Sequence, residues 1–107
     1  MKTYAAVFTF VQDIMERRTP HREAHVKHVT ALRDAGRVLM AGPWEPYDGA
    51  LIILRAEDRE EVEQMIHADP YYKAGLWPQI DIREWSVFMS SDEAYEQATT
   101  GCPGNVK

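Results

Sequence analysis

Two short stretches concentrate the side chains with chemistry to offer. His21, Arg22, His25 and His28 stand at spacings of three and four on a segment that reads as a helix. They fall in one stripe with Val29 and Leu32, so part of this row lies in line with the core. An imidazole can take up and release a proton near neutral pH, and its two ring nitrogens can serve different partners. The second stretch is Ala68-Asp69-Pro70-Tyr71, continuing as Tyr72-Lys73-Ala74-Gly75-Leu76. A carboxylate there could hold a histidine in one tautomer and stabilise its charged form, which a general base requires. Each stretch also has a plain structural explanation. A histidine in line with core residues can bond a backbone carbonyl, and Asp before Pro is an ordinary helix stop. Spacing alone leaves open whether the two stretches meet.

A metal site is a rival use of the same residues. His21, His25 and His28 with Asp69 would supply a tetrahedral set. His21, however, falls in the first helical turn, where it is expected to face solvent. No metal is expected.

The elements that must position these residues follow from periodicity and punctuation. Thr3 to Val11 is β-branched and aromatic with partial alternation, the pattern of a strand. Thr19-Pro20 opens a helix with a hydroxyl cap and a proline at its first position, and the helix runs to Ala35 and stops at Gly36. Arg37 to Ala41 is a short strand closed by Gly42-Pro43, and Trp44 to Gly49 is a turn. Leu51 to Ala56 is apolar enough for a central strand. Asp58 and Glu61 form a capping box for a second helix carrying Val62, Met65 and Ile66, which ends before Asp69-Pro70. Asp69 to Leu76 is a compact loop with room for one helical turn, and Gln79 to Met89 is expected as the last and longest strand. From Ser90 a tail follows, with a weak helical patch at Asp92 to Ala98 and a Gly/Pro-rich end. The chain therefore divides into a folded domain over residues 1–89 and a tail over 90–107.

Strand, helix, strand, strand, helix, strand is the βαββαβ order of a ferredoxin-like α+β subunit, with one antiparallel sheet and both helices on one face. Tyr4, Phe8, Phe10, Trp85 and Phe88 lie on expected strands, which implies that the other face is covered. Pairing two sheets face to face would cover it, so a homodimer is expected.

The bulk numbers exclude several functions. A chain of 107 residues holds one domain, and 45% hydrophobic with 27% charged is ordinary for a globular fold. A net charge of −5 with no basic run argues against nucleic acid and anionic membranes. No apolar run is long enough to span a bilayer, and the N-terminus lacks a signal-peptide cleavage pattern. Cys102 is the single cysteine, in the tail, so neither an internal disulfide nor a catalytic thiol is expected. The cytoplasm is the expected compartment.

Three separated blocks resemble one family. Arg22 through His25 to Ala35-Gly36-Arg37-Val38-Leu39-Met40-Ala41-Gly42-Pro43 is the first, and Asp48-Gly49-Ala50-Leu51 the second. Asp69 to Leu76, with Ile82-Arg83-Glu84-Trp85 after it, is the third. Together they resemble the YciI-like (YCII-related) family over about residues 3 to 88. The resemblance implies a ferredoxin-like subunit pairing into a dimeric α+β barrel, and an active site built from a helix histidine and the aspartate of the Asp-Pro-Tyr block. By the Arg-x-x-His register these fall on His25 and Asp69. The family often has proline after the arginine, where this chain has Glu23. The family is related in fold to muconolactone isomerases and includes a dehydrochlorinase acting on a hydroxylated ring.

The expected function is a cofactor-free lyase or isomerase acting on a small, ring-shaped, anionic or phenolic substrate. His25 would be the general base and Asp69 its orienting partner. Arg22, one turn away, would anchor a carboxylate or phenolate, and Trp44 and Tyr71 would supply apolar walls. The alternative is a non-catalytic small-molecule-binding or accessory domain that uses the same pocket without depending on His25.

Overall fold

In the computed structural model, which describes residues 1–91, the core is set by the register of the central strands. β1 (Lys2–Thr9) pairs antiparallel with β3 (Gly49–Ala56) on one side and β4 (Gln79–Glu84) on the other. β2 (Val38–Pro43) adds to the free side of β3, giving a four-stranded sheet in the order β2-β3-β1-β4. Tyr4 sits opposite Leu54, Ala6 opposite Ile52 and Ile82, and Phe8 opposite Ala50 and Ile80. These residues share one face, and α2 (Arg22–Asp34) and α3 (Arg59–His67) lie on that side. The order of elements and the antiparallel sheet are those of a ferredoxin-like α+β subunit.

The helix ends follow local chemistry. At the end of α2, Gly36 takes φ +78°, the Arg37 N–H donates to Leu32 C=O at 2.8 Å, and the Gly36 N–H donates to Arg33 C=O at 2.9 Å. That is a Schellman cap, and it needs the left-handed residue that glycine supplies. Asp58 caps α3 by accepting from the Glu61 N–H at 2.9 Å. The return bond of the box is displaced by one residue: the Glu61 carboxylate accepts from the Glu57 N–H at 2.8 Å. The expected turn after Asp69 is the helix α4 (Pro70–Lys73).

Four expectations need correction. β1 stops at Thr9, not Val11, because the Phe10 N–H turns to Asp48 C=O (3.0 Å) and the Val11 N–H to Leu76 C=O (3.1 Å). Thr19 caps nothing: its hydroxyl donates to Met15 C=O at 3.1 Å, residues Thr19–His21 form a 3₁₀ turn, and the α-helix starts at Arg22. A short helix, α1 (Ile14–Arg17), precedes it and is pinned by buried Ile14. β4 is six residues long and ends at Glu84, shorter than the eight-residue β1 and β3. Its last register pair is Glu84 with Tyr4, and the Trp85 N–H still donates to Thr3 C=O at 2.8 Å, while β1 itself continues to Lys2 against β3.

The aromatic residues also fall differently. Tyr4 and Phe8 are buried on the helix side, and Phe10 packs against the same cluster. Trp85 and Phe88 lie beyond β4 and are 48% and 57% exposed. The open face carries instead Ala5, Val7, Leu51, Ile53 and Met40, of which Val7 and Met40 are exposed. Among the described residues no helix is long and apolar enough to cross a membrane. The expected helical patch at Asp92 to Ala98, with Tyr95, and Cys102 lie outside the described residues.

Candidate active site

Asp69 ends α3 and starts α4, and that position fixes its carboxylate. Its backbone is extended, Pro70 takes the first helical place, and Oδ1 accepts from the Tyr71 N–H at 2.8 Å. The side chain is 4% exposed. Into the same carboxylate His25 of α2 donates from Nδ1, at 2.9 Å to Oδ1 and 3.0 Å to Oδ2. An ionised carboxylate can only accept, so this contact places a hydrogen on Nδ1, and in the neutral imidazole it is then Nε2 that carries the lone pair. Nε2 has no hydrogen bond among the described residues.

The ring of His25 is held as well as its nitrogen. Tyr71 stacks on it at 3.7 Å between centroids and 5° between planes, and Trp77 meets it edge-on at 6.1 Å and 80°. Trp77 in turn stacks flat on Phe8 of β1 at 4.3 Å. The sheet therefore supports Phe8, Phe8 supports Trp77, and the two aromatic rings hem in the imidazole.

His25 borders a cavity of 270 Å³ between α2 and the sheet. Phe10, Ile14, Val26, Val29, Ile52, Tyr71 and Trp77 make its walls largely apolar. Asp69 is not part of that lining. It sits behind the imidazole, beside a void of only 10 Å³ shared with Leu32, Met65 and Ile66. An apolar cavity of roughly 150 Å³ takes a benzene ring, so this one has room for a substituted single ring.

The remaining expected site residues are placed as follows. Arg22 lines the cavity, one helical turn before His25. Tyr71 lines it too, with its ring on His25. Trp44 does not; it is 41% exposed, and its ring lies against Gly49. The turn presents Tyr47 to the cavity instead, with a backbone φ of 66° in the left-handed region that non-glycine residues seldom occupy. Arg18 and Trp77 also line the cavity, and neither stood out in the sequence. Arg18 lies four residues before Arg22 in the Arg17-Arg18 doublet, which was its one available signal. Trp77 sits between Gly75 and Pro78, in a stretch with no periodicity to read. Neither Arg18 nor Arg22 has an ion pair among the described residues.

The other histidines go elsewhere. His28 Nε2 lies 3.0 Å from Met65 C=O, the ordinary bond of a core-facing histidine, and His67 stacks on Tyr72 at 4.4 Å. Among the described residues no three His, Cys, Asp or Glu side chains converge, so the set of His21, His25, His28 and Asp69 does not assemble as a metal site.

The model of the YCII-related domain matches residues 2–86 of this chain. Protein YciI of Escherichia coli O6:H1 is 31% identical over 81 residues, which is 66% of this chain and 83% of that protein. Derivative of benzaldehyde biosynthesis cluster protein C, from Emericella nidulans, is 34% identical over 80 residues, 64% of this chain and 79% of that one. Among solved structures, the 5-chloro-2-hydroxyhydroquinone dehydrochlorinase of Burkholderia phenoliruptrix AC1100, in complex with 2,5-dihydroxybenzoquinone, superposes with a TM-score of 0.69. It is 21% identical, and the match covers 78% of this chain and 92% of the dehydrochlorinase.

Proposed function

The chain belongs to the YCII-related domain family, and we propose that it is a cofactor-free lyase or isomerase in which His25 is the general base. One observation carries this reading: His25 is anchored through Nδ1 to a buried carboxylate while its ring borders a ring-sized cavity that the carboxylate does not reach.

The chemistry follows from those positions. A small oxygenated ring enters between α2 and the sheet, and its anionic oxygen is drawn to Arg18 and Arg22 at the cavity. His25 Nε2 removes a proton from a ring hydroxyl or, in a ring that carries a carbonyl, from the saturated carbon beside it. Asp69 stabilises the imidazolium that forms. In a hydroxylated ring the proton returns to the carbon that bears a leaving group such as chloride, and the chloride departs as a second hydroxyl loses its proton and the ring becomes a quinone; in a carbonyl-bearing ring the carbanion is reprotonated at another carbon, giving isomerisation. General-base catalysis of this kind is typically worth about 10² to 10⁴ in rate. The likeness to a dehydrochlorinase that holds a dihydroxybenzoquinone supports an oxygenated single ring as the substrate class.

A homodimer belongs to this reading. Val7 and Met40 leave apolar surface on the open face of the sheet, 38% and 63% exposed, and a second copy packed face to face would cover it.

The test is chloride release from 5-chloro-2-hydroxyhydroquinone by wild type and His25→Ala. Release that falls about 10²- to 10⁴-fold in the variant, with the ring still bound, supports the base. Equal release by both proteins removes His25 from the chemistry. Equal binding with release by neither favours the alternative, a non-catalytic small-molecule-binding domain.

A further inference from the structure

The turn between β2 and β3 is held by its backbone. The Trp44 N–H donates to Gly49 C=O at 2.8 Å, the Tyr47 N–H to Trp44 C=O at 2.6 Å, and the Phe10 N–H to Asp48 C=O at 3.0 Å. None of these bonds uses the Tyr47 side chain. Yet Tyr47 holds a φ of 66°, where its Cβ crowds its own backbone and where glycine, asparagine or aspartate is the ordinary choice. The side chain does nothing within the fold to offset that strain. Among the described residues it makes no hydrogen bond, ion pair or ring stack, and it does not pack on the core cluster. What it does is line the cavity. Phe8, Ile14 and Trp77 form the buried end of that cavity, whereas Arg22 and Val26 on α2 and Tyr47 on the turn line it while exposed, Tyr47 at 38%. The mouth therefore lies between α2 and the turn, and Tyr47 stands at it.

We infer that Tyr47 is a substrate-binding residue whose ring covers a bound ring at the cavity mouth, and that the chain keeps a strained backbone in order to place it there. Strained backbone positions persist where the surrounding structure enforces them, and they gather at ligand clamps and active sites. Here the enforcing structure is visible in the three backbone bonds of the turn, and the cavity supplies the reason. A tyrosine ring at the mouth gives a planar ligand an aromatic contact on its solvent side and keeps water from that side. The buried walls hold the other side, so the ligand is enclosed only when Tyr47 is counted. The inference rests on the function proposed above for the identity of the ligand as a small ring. Contact with that ring needs no turnover, so binding tests it separately from catalysis.

Calorimetric titration with benzoate, together with thermal melts, tests the inference on wild type, Tyr47→Gly, Tyr47→Asn and Tyr47→Phe. Glycine and asparagine accept a left-handed backbone and remove the ring, whereas phenylalanine keeps both the ring and the strain. Tyr47→Gly and Tyr47→Asn should melt at or above the wild-type temperature and bind benzoate about 3- to 10-fold more weakly, the worth of one aromatic contact. Tyr47→Phe should bind as wild type does. Wild-type affinity in Tyr47→Gly and Tyr47→Asn overturns the inference. So does a melt of both variants well below wild type, which would give the side chain a duty in the fold, and so does a wild type that does not bind benzoate. Weakened binding in both variants, with no chloride release from 5-chloro-2-hydroxyhydroquinone by any of the four proteins, upholds Tyr47 and removes only the catalytic reading.

Discussion

His25 and Asp69 stand 44 residues apart in the chain and meet through both carboxylate oxygens, at 2.9 and 3.0 Å. The same carboxylate caps α4 through the Tyr71 N–H, so one side chain holds a turn and a histidine at once. The ring that follows it in sequence, Tyr71, stacks on the imidazole that Asp69 orients. A single local motif thus supplies the partner of His25 and one face of its pocket.

The two duties of Asp69 separate on mutation. Asn can still accept from the Tyr71 N–H, so Asp69→Asn should hold its melting temperature close to wild type, while turnover falls about 10²- to 10⁴-fold because the base loses its tautomer and its counter-charge. Asp69→Ala should lose activity as well as about 1 kcal/mol of stability, the usual worth of a cap. Thermal melts and turnover on the two variants check this. Full activity in Asp69→Asn would reduce the residue to a helix stop.

Arg18 and Arg22 should act on binding, not on chemistry. Arg22→Gln and Arg18→Gln should each weaken benzoate binding by up to about tenfold, with less loss at high salt, since both side chains are at least partly open to solvent. Phenol, which is neutral, should be nearly indifferent to either change. Titrations at two ionic strengths read this out, and an equal loss for both ligands would point to packing instead of charge.

Gly49 ties the sheet to the site. A Cβ there would run into the Phe8 carbonyl oxygen and press on the Trp44 ring, and a backbone carbonyl in the central pair of strands cannot step aside. Gly49→Ala should cost about 2 kcal/mol, or roughly 10 °C in melting temperature, and should disturb Trp77 through Phe8. Gly42→Ala, where a Cβ meets nothing within 4 Å, should change stability by less than about 0.5 kcal/mol. Near-UV circular dichroism and thermal melts compare the two.

Much of this architecture was legible because it rests on local chemistry. The Gly36 cap, the Asp58 cap and the turn after Asp69-Pro70 each depend on a residue type and its immediate neighbours. His25 and Asp69 could be singled out by the Arg-x-x-His and Asp-Pro-Tyr blocks, although only the fold shows that they touch. What could not be read depends on partners elsewhere. β4 ends opposite Tyr4 of β1, a point that the alternation of 79 to 89 does not mark. Thr19 looked like a cap, but Met15 C=O took its hydroxyl once α1 had formed. Tyr47 faces the cavity in place of Trp44 through a left-handed φ that no residue preference in the turn announces.

A long-range ¹H–¹⁵N correlation spectrum of the histidine side chains, recorded above their titration range for wild type and Asp69→Asn, tests most directly whether Asp69 leaves His25 a free base at the cavity. Wild-type His25 should show its hydrogen on Nδ1 and an unprotonated Nε2, and that preference should weaken or disappear in Asp69→Asn. A wild-type His25 with its hydrogen on Nε2, or one that ignores the substitution, would contradict the proposed base.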